Sequence, residues 1–582
     1  MKKIIYTLCL ALSVGFIISC EDNYLDKVPK DKVDANAFFN TATDLEIYTN
    51  SFYSHFPPQG VYEAHDDASD NIVCLIARDR VKGTRTVPVA RGSGGWSWEN
   101  LRSINFFLNN YNKCNDQQAK LKYGGLAKFF RAYFYFDKVK MFGDVPWYNK
   151  VLEAGDEELY KPRDSRDLVM DSVLADINYA VAHLPMEKKL NLVTGYTALA
   201  LKARICLYEG TFRKYHNLGN HEKYLNEAVS ASEQLIAHDA YQLFTNGGVN
   251  ASYRNLFARN NQDVTETILA RDYDKDFIRH GVAYLCTAPT MGAFGLTKDL
   301  VNSYLMVDGS RFTDIVGYET MGFWEEMQNR DPRLIQTTAG PEFTVYGENV
   351  REPVDLKLTT TGYRVIKTLP TRDQWASSSS YNDIIFFRYA ETLLIFAEAK
   401  AELGTLTQAD LDKSINKLRE RVGMPNLILA DANANPDPYL ESMYPNVNSG
   451  PNKGIILEIR RERRIELFFE GHRWDDLMRW KEGKKLEKPM LGIYFSGLGS
   501  FDFNNDGKTD VYLHNGDPSG APPETSTIID IRQRPLTEGL SGNLFPWKNV
   551  IIAFDESKDY YYPIPLEDLA LNSQLVQNQG WD

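Results

Sequence analysis

Cysteine is scarce in this 582-residue chain: six residues in all, and no CxxC pair. That excludes a disulfide framework and a cysteine-ligated zinc site. Cys9 lies in an N-terminal apolar run, and the scattered Cys74, Cys114, Cys206 and Cys286 are expected to be buried thiols. Positive charge is short too, with 65 Lys and Arg against 78 Asp and Glu, a net −13. Such a chain has no electrostatic drive towards nucleic acid or an anionic membrane surface. After Ile18 no stretch reads as a membrane span. Catalytic signatures are missing as well: no GxSxG elbow, no HExxH, no Walker loop, and His221-Glu222 lacks a second His four residues on.

Aromatics, by contrast, are plentiful, with 33 Tyr, 30 Phe and 9 Trp. Residues 1–19 read as a secretory signal, Lys2 and Lys3 preceding the apolar run Ile4 to Ile18. The run ends in Ile17-Ile18-Ser19-Cys20, which resembles a lipobox whose cysteine is diacylated, so the expectation is a chain anchored to a membrane rather than spanning it. Residues 20–33 suit an anchor and tether. Helical patterns are read over 34–56, 98–113, 119–142, 164–184, 195–208, 222–238, 389–403 and 407–422, mostly in pairs, with small residues such as Ala200, Ala203, Ala397 and Ala399 permitting close packing. Residues 57–95 break this pattern as a long irregular segment, often a functional one. No clean 34-residue repeat is visible, so the physics predicts a degenerate helical solenoid with long insertions.

The densest local signal is EIRRERRIELFFEGHRWDDLMRW, Glu458 to Trp480. Ile456, Ile459 and Leu467 form an apolar line, and four arginines alternate with Glu458, Glu462 and Glu466. Mixed charge at this spacing usually marks a solvated, salt-bridged helix face. As words, however, ERRIELFFEGHRWDDLMRW closely resembles the C-terminal signature of the SusD/RagB family of surface glycan-binding lipoproteins. Further matches occur in order along the chain: FRAYFYFDKVKMFGDVPW (130–147), ALALKARICLYEG (198–210), Asn329 to Arg333, Phe387 to Glu391, Leu418 to Gly423, Tyr562 to Pro565 and Gln577 to Gly580.

The resemblance implies a mainly α fold: a tetratricopeptide-like, SusD-like scaffold of helical pairs with long irregular insertions and few short strands. It implies one domain over 34–582, with an N-terminal part of about 34–300 and a C-terminal part of about 301–582. It also implies a non-catalytic, surface-exposed outer-membrane lipoprotein, anchored at Cys20, that delivers oligosaccharide to a SusC-like TonB-dependent barrel. Glu21-Asp22 resembles the surface-export signal of such lipoproteins. A RagB-like peptide-capturing protein is the alternative, and a surface glycoside hydrolase a further one, since two converging carboxylates leave no local signature among 78 acidic residues.

Glycan binding needs flat aromatic faces rimmed by polar groups. Aromatics in loops are therefore the candidates: Trp96, Tyr318, Trp324 and Trp375, with Asp66, Asp67 and Asn71 as polar companions. Trp98, Trp474 and Trp480 fall within family landmarks and are read as core. One loop has metal-ligand spacing. Asp502, Asn504, Asp506 and Asp510 offer oxygens at positions 1, 3, 5 and 9, Gly507 supplies the turn, and Lys508 offers its carbonyl. Position 12 is Leu513, so this is no EF-hand; a structural Ca²⁺ is expected, the alternative being a plain polar turn.

Overall fold

Helix starts follow their capping residues. In the computed structural model, which describes residues 38–57, 64–448 and 450–582, Thr41 and Asp44 form a capping box at the start of α1 (Ala42–Asn50). Helix α2 (Glu99–Asn110) turns into α3 (Gln117–Phe142), where the Asp116 carboxylate accepts the Ala119 N–H at 3.0 Å. Ser165 caps α4 (Arg166–His183), and Thr194 with Thr197 caps α5 (Gly195–His216), which is followed by α6 (His221–Ala237). These side chains satisfy amides that a first helical turn leaves unpaired. Each helix from α2 to α6 packs on the next. At Gly210 of α5 an added Cβ would stand 2.7 Å from Leu225 Cγ, so this glycine sets how closely α6 approaches.

After a long insertion the stack resumes. Helix α7 (Tyr389–Glu402) packs on α6; α8 (Gln408–Asp412) and α9 (Ile415–Arg421) follow, and α10 (Lys453–Glu466) packs on α7. Helix α11 (Arg473–Arg479) returns to α5. Strands are short: β1 (Thr267–Arg271) runs antiparallel to β2 (Ile384–Arg388), while β3 (Gly499–Phe501) pairs antiparallel with β4 (Val511–His514), which is parallel to β5 (Thr527–Asp530). The mainly α scaffold expected from the sequence is therefore present.

Three helical expectations change. Residues 34–37 lie outside the described residues, and the helix expected over 34–56 is α1 followed by a 3₁₀ turn, Ser51–His55. Helix α5 continues past Tyr208 to His216, because Gly210 is held by packing against α6 instead of ending the helix. The helix expected over 407–422 is split where Ser414 leaves helical geometry (φ −131°, ψ −94°) and its hydroxyl donates to the Asp410 carbonyl.

Two large apolar cores result. One fills the helical stack, with Phe129, Phe130, Leu199, Leu225 and Leu393 among its members; the other lies under the irregular half, with Phe294, Tyr304, Phe323, Tyr363 and Trp547. They meet along α10 and the turn that follows it: Ile455, Ile456, Ile459 and Leu467 belong to the first, and Ile465, Phe468 and Phe469 to the second.

Position between two cores overturns the solvated-face reading of α10. Arg460, Arg461, Glu462, Arg463, Arg464 and Glu466 are all buried. Glu462 pairs with Arg419 at 2.6 Å and Arg333 at 3.0 Å; Arg463 pairs with Asp476 at 2.8 Å. Glu466 is held by Arg421 at 2.6 Å, Arg388 at 2.8 Å and Arg333 at 3.2 Å. Burial alone would push the Glu466 carboxyl up, but these three guanidinium groups hold it well below the ordinary carboxylate range.

Candidate functional site

The structure separates the sequence-predicted residues. Asp66, Asp67 and Asn71 are buried and engaged, which removes them as polar companions on a ligand surface. Asp66 Oδ2 accepts the Phe469 N–H at 2.6 Å, Asp67 accepts the Arg78 guanidinium, and Asn71 Oδ1 accepts Arg464 Nε at 2.8 Å. Beside them, Asp70 takes Arg473 at 2.6 Å and Arg464 at 3.0 Å. The irregular segment thus supplies counter-charges to the C-terminal signature, a partnership across about 400 positions that local sequence does not display.

Trp96 and Trp98 both line the larger cleft described below. Trp96 is only 2% exposed, its ring edge-on to Phe142 at 4.7 Å, whereas Trp98, expected as core, is half-buried. Tyr318 is half-buried against Phe312 at 5.7 Å, and Trp324 is half-buried in a single helical turn. Trp375 donates its indole N–H to the Pro370 carbonyl at 3.0 Å and lies beneath Arg372, 4.9 Å from the ring centre. Tyr318, Trp324 and Trp375 line none of the three clefts described below. Trp474 and Trp480 are core, as expected.

The largest of these clefts has a volume of about 680 Å³ and sits between the start of α2, the loop after α3 and the C-terminal turn Leu566–Leu571. That size suits an oligomeric ligand. Its aromatic lining is Trp96, Trp98, Tyr148 and Tyr160, the last 47% exposed. Trp98 meets Tyr148 edge-on at 5.6 Å, and Asn105 pins the loop by donating to the Tyr148 and Lys150 carbonyls at 2.9 and 3.2 Å. Behind it the Arg131–Asp176 pair, at 2.6 Å, fixes Asn105 through a 3.3 Å hydrogen bond. The opposite wall is tied to the irregular segment, with Gly92 N–H donating to Asp568 at 2.8 Å and Arg91 N–H to Glu567 at 2.9 Å. The exposed Arg91, Arg102 and Lys150 also line the cleft, while Asn572 is buried, its amide donating to the Lys161 carbonyl and accepting the Gln574 N–H, each at 3.0 Å. Sequence reasoning missed Tyr160 and read Trp98 as core; the exposed Tyr160 follows the acidic run Asp156-Glu157-Glu158, a local surface signal.

A second cleft of about 480 Å³ lies where α3 and α5 face residues 470–478 and Tyr560 to Tyr562. A third, of about 330 Å³, lies beside Leu75, Lys357 and Trp547.

In the 502–510 loop the Asp502 carboxylate accepts the N–H groups of Asn504, Asp506 and Gly507 at 3.1, 3.3 and 2.7 Å. Asp510 accepts the Phe503 N–H at 2.9 Å, and Asp506 pairs with Arg351 at 3.1 Å. Burial, then the charges of Asp506 and Asp502, push the Asp510 carboxyl up, while Asp502 is drawn down by its amide donors against the opposing effect of burial. Among the described residues no group of three or more His, Cys, Asp or Glu side chains is gathered for a metal ion.

The fold is a helical scaffold carrying clefts between its elements, and similarity to known proteins places it further. The model of the SusD family matches residues 250–581, and the chain belongs to that family. A SusD-like protein of Formosa agariphila is 25% identical over 523 residues, covering 84% of this chain and 94% of the relative. A SusD-like protein of Bacteroides fragilis superposes with a TM-score of 0.69 at 21% identity, over 95% of this chain and all of that one. A SusD-like carbohydrate-binding protein, also from Bacteroides fragilis, gives 0.66 at 20% identity, over 93% of this chain and all of that one.

Proposed function

We propose that this protein is a non-catalytic surface lipoprotein that captures oligosaccharides and hands them to a SusC-like TonB-dependent barrel in the outer membrane. The observation that carries the reading is the cleft under Trp98, set in a chain of the SusD family. Trp98, Tyr148 and Tyr160 offer aromatic faces to the C–H side of sugar rings, and the exposed Arg91 and Arg102 offer hydrogen bonds to hydroxyls. A carbohydrate-binding protein with the same fold supports this use of the scaffold. The reading takes residues 34–582 as one binding domain, held to the membrane through acylated Cys20 and the 20–33 tether. Among the described residues no helix is long and apolar enough to cross a membrane. Ligand binding that favours a closed arrangement over the barrel mouth would make capture directional.

The test is a screen of the protein from Glu21 onward by native affinity gels against polysaccharides and peptides, with reducing-end release assayed in parallel. The expected result is retardation by one glycan class, weakened at least tenfold by Trp98→Ala, without release of sugar ends. Release would make the protein a hydrolase, and binding to peptides alone would make it a peptide-capturing lipoprotein. In cells, Cys20→Ala is expected to move the protein from the membrane to the soluble fraction; retention on the membrane would rule out the anchor.

A further inference from the structure

The third cleft runs along the edge of a sheet. Its lining takes Thr527, Ile528, Ile529 and Asp530 in an unbroken row, the whole of β5. Successive strand residues point to opposite faces, so a space that touches all four lies beside the strand and not over one face of it. On one side β5 pairs with β4; among the described residues no strand pairs with its other side. Thr527 and Ile531 donate their N–H groups to the Asp510 and His514 carbonyls, each at 3.0 Å. Alternate residues of a strand face the same neighbour, so Ile528 and Asp530 turn their backbone groups the other way, towards the cleft. The Asp530 carbonyl is taken by the N–H groups of Gln533 and Arg534, each at 3.0 Å. The Ile528 N–H and carbonyl and the Asp530 N–H have no hydrogen bond to a described residue, and Ile528 is 46% exposed.

Three charged side chains line the cleft: Lys357, Asp530 and Arg534. Asp530 is neutralised by Arg532 at 2.5 Å. Arg534 directs its guanidinium to the carbonyls of Leu356, Thr359 and Thr360, at 2.7, 2.9 and 2.8 Å, and the Lys357 ammonium donates to the Ser526 carbonyl at 3.4 Å. Asp355, which accepts the Lys357 N–H at 2.9 Å, offsets one of these two cations. One positive charge is left over beside the open edge. The unpaired N–H, carbonyl and N–H follow one another along an extended chain, over about 7 Å. A second extended backbone carries the same groups at the same repeat and can answer all three, whereas sugar hydroxyls have no such period. A carboxylate on that backbone answers the left-over charge.

We propose that this cleft docks an acidic peptide segment in extended form, which adds as a fourth strand to the open edge of β5. Docking here uses another cleft than the glycan-capture reading and none of the residues around Trp98, so it stands apart from that reading.

The test uses the blocked peptide acetyl-Thr-Val-Glu-Val-Thr-amide, titrated calorimetrically into the protein and mapped by amide hydrogen exchange. It is expected to bind and to slow exchange across 526–531. Binding is expected to weaken at least tenfold when the three central amides of the peptide are N-methylated, and severalfold when its Glu is replaced by Lys. Ile528→Pro removes the outward N–H and leaves the ladder to β4 in place, as proline does where an edge N–H faces outward, and is expected to weaken binding tenfold or more. Equal affinity for the N-methylated or the Lys peptide overturns the proposal, as does slowing confined to other segments. No binding, which a merely solvated edge would give, overturns it too. Cellobiose slowing exchange across 526–531 where the peptide does not makes the cleft a sugar site instead. Trp98→Ala is expected to leave peptide binding unchanged while it weakens glycan retardation; peptide binding lost in that variant belongs to the first cleft and overturns the docking groove, leaving the capture reading to its own test. Should Ile528→Pro fail to fold, the N-methylated peptide on the wild type decides.

Discussion

Asp66 is a carboxyl group placed where its charge is costly. One oxygen accepts the Phe469 N–H, and burial pushes the group from 3.8 up to about 6 against the pull of Phe469, Asn71 and the nearby cations Lys367 and Arg473. The folded state therefore holds this proton more tightly than the unfolded chain. The stability it contributes is fully present below pH 3.8 and is lost as pH rises through about 6. Asp66→Asn keeps an acceptor for the Phe469 amide and removes the titration. Its melting temperature is expected to gain on that of the wild type steadily across this window and to hold its lead above it; parallel curves would show that Asp66 titrates normally. The same scale shows the limit of reading loops. A helix has a period that tells inside from outside, but Trp96 and Trp98 stand in irregular chain, where nothing local says which ring turns inward. Phe142, far along the sequence, decides it.

At the scale of elements, the 502–510 loop is arranged by its own amides, with Asp502 accepting three of them. A calcium ion there would relieve the repulsion that Asp506 and Asp502 exert on Asp510. We propose that the loop binds calcium and stiffens the connection from β3 to β4. Millimolar calcium is then expected to raise the melting temperature of the wild type and to leave the Asp502→Ala/Asp506→Ala variant unmoved; a wild-type curve indifferent to calcium reduces the loop to a polar turn. The helices of the stack were legible to within a few residues, because capping residues and apolar spacing are local facts. The exceptions, α5 running through Gly210 and the break at Ser414, depend on neighbours that no single helix carries.

For the whole molecule, α10 is the seam. Its apolar residues are shared between the two cores, and Glu466 gathers Arg333, Arg388 and Arg421 from three separate stretches of chain. Removing one partner of a buried pair leaves the others uncompensated, typically at about 3–5 kcal/mol. Glu466→Gln is expected to lose about that much stability in urea, with helical circular dichroism and tryptophan fluorescence shifting together, because both cores rest on the same network. A loss under about 1 kcal/mol, the size of an exposed pair, or two separated transitions, would show that the cores stand independently.

The sequence by itself determined the helical scaffold, through caps and apolar periodicity, and the family, through ordered words spread along the chain. Both are carried by residues near one another in sequence. Only the tertiary structure decided that the arginine-rich helix is buried, that Asp66, Asp70 and Asn71 belong with the C-terminal signature, and that Trp98 is part of the lining of the larger cleft. Those outcomes turn on desolvation and on charges and rings brought together from distant stretches, and a charge shows its cost only when its surroundings are in place.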